Sequence, residues 1–228
     1  ECVFRGVEQG VAVFYAPVPF CRLRNAPAAG MIPAYCEGTK SARPAGKSKD
    51  AKETDIMADF VLSCCSTADL TKEHFQQRDI SYICFHYALD GVDYPDDLGE
   101  TMPFDKFYAA MANGAETRTS QVNISEFVDY FTPFLEQGKD ILHVCLSSGL
   151  SGVSNSAENA ARIVRERYPE RKIYIVDSLG ASSGYGLLMD KLADLRDEGM
   201  SIDAVRDWAE AHKLELHHWF FSTDLTFY

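Results

Sequence analysis

Hydroxyl side chains crowd three short segments of this sequence: CCSTADL (64–70), CLSSGLSG (145–152) and VDSLGASSG (176–184). A fourth polar segment, TRTSQVN, spans 117–123. Residues of these types could serve as nucleophiles, as a phosphate cradle or as a neutral grip for a carboxyl group. Serine hydrolysis asks for G-x-S-x-G, and GLSGV (149–153) has Val153 where the last Gly belongs. It also asks for a histidine. His143 precedes the loop within an apolar run, and nothing in the sequence places His212, His217 or His218 beside it. Phosphate binding would use the N–H groups of a helix N-terminus behind a Gly-rich loop. Neither G-x-x-x-x-G-K-[ST] nor G-x-G-x-x-G occurs. The third chemistry fits the residue types best. Ser and Thr both donate and accept, so they can hold a carboxyl group without a positive partner, helped by the modest positive field of a helix N-terminus. The plain alternative for one such loop is a helix cap at Ser151 with Gly152 easing the turn, and a cap can also be part of a ligand site.

These segments need a scaffold that brings them together, and the hydrophobic pattern predicts one. DFVLSCC (59–65), ISYICFHYAL (80–89), DILHVCL (140–146), KIYIVDS (172–178) and LHHWFFSTDL (216–225) read as strands. Helical spacing marks 66–79, with Ser66 or Thr67 as cap and Asp69 in its first turn. It also marks 103–114 ending on Gly114, 124–138, 153–168, 179–199 and 201–213. DGVDYPDDLGE (90–100) reads as a solvated loop rather than a metal site. Strands alternating with helices imply an α/β fold with a mostly parallel sheet and flanking helices. Such sheets bind ligands at the carboxyl ends of their strands, which is where the hydroxyl-rich loops fall. The aromatic stripes Phe104, Phe107, Tyr108 and Phe127, Tyr130, Phe131, Phe134 predict core packing, with the lining of a ligand tunnel as the alternative.

Composition narrows the classes further. The formal net charge is −12 over 228 residues, which argues against nucleic acid or an anionic membrane surface as partner. No apolar run is long enough to span a membrane, and GVAVFYAPVPF (10–20) is too short and too proline-rich for a signal peptide. Seven cysteines without metal spacing suggest reduced thiols in a cytoplasmic protein. Residues 1–56 carry eight basic and six acidic side chains for a net +2, which leaves −14 on 57–228. Within that first part, GTKSARPAGKSKDAKETD (38–55) reads as a flexible linker. The functional domain is therefore expected from Met57 onward, with 1–56 as an appendage.

Four motifs together, CSTADL (65–70), TSQ (119–121), SSGLSG (147–152) with NSA (155–157), and VDS (176–178), resemble the DegV family over 57–228. That resemblance implies a two-domain α/β protein that binds a long-chain fatty acid between its domains. It further implies presentation of the acid's carboxyl group to a separate fatty-acid kinase subunit. No catalytic residue, metal or cofactor is implied. Matched position by position, the carboxyl-binding threonine falls on Thr119 and the carboxyl-binding serine on Ser151. Ser147 and Ser148 would shape the loop or back the contacts, and Ser148, Ser120, Gly149 and Ser66 would complete the ligand site. Where the family usually has Asp before its first S-T, this sequence has Cys65. The match stops at the end of the first domain, so the second domain is expected to be largely missing, which would leave the ligand site open on one side. A serine-dependent hydrolase and a fragment that binds nothing are the rival expectations.

Overall fold

Continuous burial along Phe60–Cys65 explains why this segment sits inside the main sheet, covered on both faces. Leu62 and Cys64 face one helical layer and Val61 and Cys65 the other, all essentially buried. The computed structural model describes residues 11–14 and 60–222 of the chain. The expected linker at 38–55 lies outside the described residues. Four parallel strands form the main sheet: β2 (Phe60–Cys65), β3 (Ile80–Ile83), β7 (Asp140–Cys145) and β8 (Ile173–Asp177), in the order β3-β2-β7-β8. Against one face lie α5 (Ser182–Asp197) and α6 (Ile202–His212), burying Leu188, Met189, Leu192 and Val205 over Leu62, Leu142 and Val176. Against the other lie α3 (Ile124–Glu136) and α4 (Val153–Arg167), burying Phe127, Phe131, Ala157 and Ala161 over Val61, Ile141 and Ile173. The chain is thus an α/β protein with a parallel sheet flanked by helices, as its pattern predicts.

The first hydroxyl-rich loop departs from the expected capped helix. Ser66–Ala68 forms a single 3-10 turn that ends on Asp69 at φ 52°. The helix α1 (Lys72–Gln77) starts later and takes its cap from Thr71, whose hydroxyl accepts from His74 N at 3.1 Å. Ser66 and Thr67 are unavailable as caps because their oxygens hold other elements, as described below.

A second departure is a three-stranded antiparallel sheet outside the main one. The run 80–89 is two strands rather than one. Ile80–Ile83 stays in the parallel sheet, while β4 (His86–Leu89) turns away to pair with β5 (Val92–Pro95) and β6 (Thr117–Ser120). The break falls at Phe85, where the backbone N–H donates to Ser66 Oγ at 3.0 Å. The segment read as a loop at 90–100 therefore contributes a strand. Its turn residues Asp90 and Gly91 have φ of 51° and 79°, the left-handed pair of a two-residue hairpin. Helix α2 (Phe104–Ala112) lies between β5 and β6 in sequence.

Val11–Phe14 forms a strand, β1, antiparallel to β9 (Trp219–Ser222), in a separate two-stranded sheet. His217 and His218 precede that strand instead of lying within it. No helix of the described residues is long and apolar enough to cross a membrane.

Candidate functional site

The loops leaving β7 and β8 interlock through their backbones. Ser147 N donates to Gly180 O at 2.9 Å, and Ser178 N donates to Cys145 O at 3.2 Å. The Asp177 carboxylate accepts from Ser148 N and from Leu179 N, both at 3.1 Å. Ser147 turns its own loop: its Oγ accepts from Gly149 N at 3.2 Å, and its carbonyl accepts from Leu150 N and Ser151 N. Four Ser and Gly residues thus form a tight, self-bonded turn that delivers Ser151 to the entrance of α4. The residue next to the helix is Gly152, which has no side chain to cap it, and Ser151 Oγ accepts from Val153 N at 3.2 Å instead.

Ser151 also reaches the T-S-Q segment. Its hydroxyl donates to Gln121 Oε1 at 2.8 Å, and Gln121 Nε2 donates to Ser156 Oγ at 3.2 Å. A Cβ added at Gly152 would stand 3.2 Å from the Gln121 amide, so the glycine makes room for that crossing. Two segments separated by about thirty positions in sequence are joined here by one amide. The T-S-Q motif by itself assigns no role to Gln121. The signal available was an amide next to two hydroxyls, ahead of a capping box at Asn123 and Glu126.

Thr119 opens onto a cavity of about 240 Å³ between the first loop, the antiparallel sheet and α2. Its aromatic wall is Phe85, Tyr87, Phe104, Phe107 and Tyr108, with Met102 beside them. Tyr87 packs edge-on against Phe107 at 5.0 Å and stacks on Tyr94 at 5.6 Å. The two aromatic stripes therefore divide. Phe127 and Phe131 are fully buried core, as expected, whereas Phe104, Phe107 and Tyr108 line the cavity. A larger open depression of about 360 Å³ beside β3 is lined by none of the hydroxyl-rich loops.

The other residues marked in the sequence take different places. Ser66 is fully buried and does not line the cavity; its Oγ donates to Asp96 at 2.8 Å and accepts from Phe85 N. Its neighbour Thr67 does line the cavity, with Oγ1 at 2.8 Å from Tyr185 OH. Ser120 follows Thr119 along β6, so strand alternation turns it to the opposite face. Ser148 and Gly149 are exposed on the turn. Cys65, which stands where an acid was looked for, is a buried thiol whose carbonyl accepts from Tyr185 OH at 3.0 Å. Among the described residues no cluster of three or more His, Cys, Asp or Glu could hold a metal ion.

A family model described as an uncharacterised protein of the DegV family matches residues 64–227. The chain belongs to the DegV family. A DegV domain-containing protein of Clostridium perfringens is 37% identical over 164 residues, covering 72% of this chain and 56% of that one. This chain spans little more than half the length of the curated DegV relatives it matches. Among solved structures, it is similar to a stearic-acid-binding protein from Eubacterium ventriosum at a TM-score of 0.62 and 27% identity. That match covers 67% of this chain and 52% of the other. A fatty-acid-binding DegV protein from Thermus thermophilus matches at a TM-score of 0.60 and 27% identity, over 68% of this chain and 54% of its own.

Proposed function

We propose that this chain binds a long-chain fatty acid without catalysing its conversion, with Thr119 and Ser151 at the carboxyl end. The observation that carries this reading is the junction of the T-S-Q and S-S-G-x-S-G segments through Gln121, two residues along the chain from Thr119, which lines an aromatic cavity that Ser151 itself does not line. The fatty acids held by the Eubacterium and Thermus relatives support the ligand class. Burial of each methylene contributes about 0.8 kcal/mol, so a long acyl chain offers roughly 10 kcal/mol gross. Hydroxyl contacts add about 1 kcal/mol each. The chain therefore supplies affinity, and the hydroxyls select the head group. Presentation to a fatty-acid kinase in the cytoplasm completes the proposal and rests on the family resemblance of the four loops.

The same geometry weighs against the hydrolase. The Ser151 proton goes to an amide oxygen, whereas His143 is buried between Ser63 and Cys65. Native mass spectrometry of the purified chain should find a co-purifying species of fatty-acid mass. Ser151→Ala and Thr119→Ala should each weaken binding of the free acid by about fivefold, near 1 kcal/mol. The methyl ester should lose less, and equal losses for acid and ester would refute the carboxyl assignment. A fluorophosphonate should leave Ser151 unlabelled.

A further inference from the structure

Each neutral hydroxyl has one proton to give, and two hydroxyls, Ser151 of the proposed carboxyl contacts and Thr67 of the cavity lining, have already given theirs. At Ser151 it goes to Gln121 Oε1, and Gln121 is in turn held by Ser156. At Thr67 the partner is Tyr185 OH, and the single proton of Tyr185 goes to the Cys65 carbonyl. Thr67 must then be the donor in its pair with Tyr185. Both hydroxyls consequently meet a ligand as acceptors. An ionised carboxylate offers only lone pairs, whereas a carboxylic acid brings one O–H, enough for one such acceptor.

The charges around the cavity point the same way. Among the described residues its lining holds Asp69, Asp96 and Asp97 and no Lys or Arg, and its His86 is paired with Glu126 at 3.3 Å. Of the basic groups nearby in sequence, Lys106 is exposed on α2 and does not line the cavity, and three others are engaged or turned away. Lys72 pairs with Glu100, Lys213 is tied to the Asp177 carbonyl and to Glu210, and Arg118 alternates to the face of β6 opposite Thr119. Burial pushes the Tyr108 phenol up, and Asp69 and Asp96 push it further; burial with Asp97 and Asp96 does the same at Tyr87. Burial first, then Asp96, Asp97 and Glu100, raises Cys84 to about 11. Each group reports a setting that disfavours a new negative charge.

We propose that the site takes its fatty acid as the neutral carboxylic acid, with Thr67 as a further head-group contact whose oxygen accepts a hydrogen bond from the acid's O–H. This rests on the fatty-acid reading above. The site then selects uncharged heads that donate a hydrogen bond over heads that are permanently anionic.

The test displaces a fluorescent fatty acid from the full chain with stearic acid, stearyl alcohol or octadecanesulfonate. The alcohol should compete within a few-fold of the acid. The sulfonate should be weaker by about tenfold or more, equivalent to about 1.4 kcal/mol. A sulfonate that competes as well as the acid overturns the neutral-acid inference and leaves fatty-acid binding intact. Failure of the probe and all three competitors to bind overturns the fatty-acid reading and this inference with it. Thr67→Val keeps the shape and removes the acceptor, so acid and alcohol should weaken by about tenfold while the sulfonate is unchanged. Equal weakening of all three would remove Thr67 from the head-group contacts.

Discussion

Gly152 is the residue on which the meeting of two motifs depends, and its replacement separates binding from folding. At φ −76° the backbone there suits any residue, and exchange of glycine for alanine at a helix N-cap costs well under about 1 kcal/mol. An alanine Cβ would nonetheless press on the Gln121 amide, which orients Ser151. Gly152→Ala should therefore weaken fatty-acid binding by about three- to tenfold while shifting the melting temperature little, within about 2 °C. Calorimetric titration beside a thermal melt checks this, and unchanged affinity would remove Gln121 from the head-group machinery. Holding an acid neutral near pH 7 also has a definite cost. An ordinary carboxyl titrates about three units lower, so the cost is about 4 kcal/mol, well below the roughly 10 kcal/mol that acyl burial supplies. Thr119 and Ser151 stand out in the sequence because their motifs are short and local. The first loop marks Thr67, with Ser66, only as a possible neighbour of the ligand. The hydrogen-bond state of Thr67 is set by Tyr185, more than a hundred positions away on α5, and no local pattern carries that partnership.

Between elements, α5 comes into close contact with the backbone of the first loop. A Cβ at Gly186 would come within 2.5 Å of the Ala68 carbonyl, which is backbone and cannot swing aside. Gly186→Ala should push α5 off the 3-10 turn that carries Thr67 and destabilise the fold by about 1–3 kcal/mol. Urea denaturation would register that loss, and a variant as stable as the parent would show that the helix can shift freely. The elements of the parallel sheet were legible because buried strands write continuous apolar runs and their helices write a 3.6-residue period. The antiparallel sheet was not. ISYICFHYAL is continuous in composition, so its division at Phe85 depends on a tertiary bond to Ser66. The hairpin that follows had a usable signal in Asp90-Gly91, and the acidic residues around it concealed the strand Val92–Pro95.

On the scale of the whole molecule, one buried histidine ties stability to pH. His143 lies on the α3 side of the sheet, its Nδ1 2.9 Å from Ser63 Oγ and its Nε2 3.7 Å from Cys65 Sγ. Phe127 and Phe131 stand edge-on to its ring at 5.2 and 5.5 Å. Burial alone lowers its pKa to about 3, because a charged imidazolium there would lose its water. The unfolded chain binds the proton near pH 6.5 while the folded chain refuses it down to about pH 3. The stabilisation is therefore complete above pH 6.5 and is lost progressively as the pH falls from there towards 3. The slope approaches about 1.4 kcal/mol per pH unit, or about 2 kcal/mol between about pH 7 and about pH 5. His143→Gln keeps a neutral hydrogen-bonding group against Ser63 and removes the titration. Its absolute stability should be lower at neutral pH, since the amide fills the ring's space poorly. Its loss between about pH 7 and about pH 5 should nonetheless be smaller than that of the parent by about 2 kcal/mol. Urea unfolding of both proteins at the two pH values measures the difference directly. Parallel declines would mean that His143 takes up its proton within the folded core, and that another group sets the acid limit of the fold.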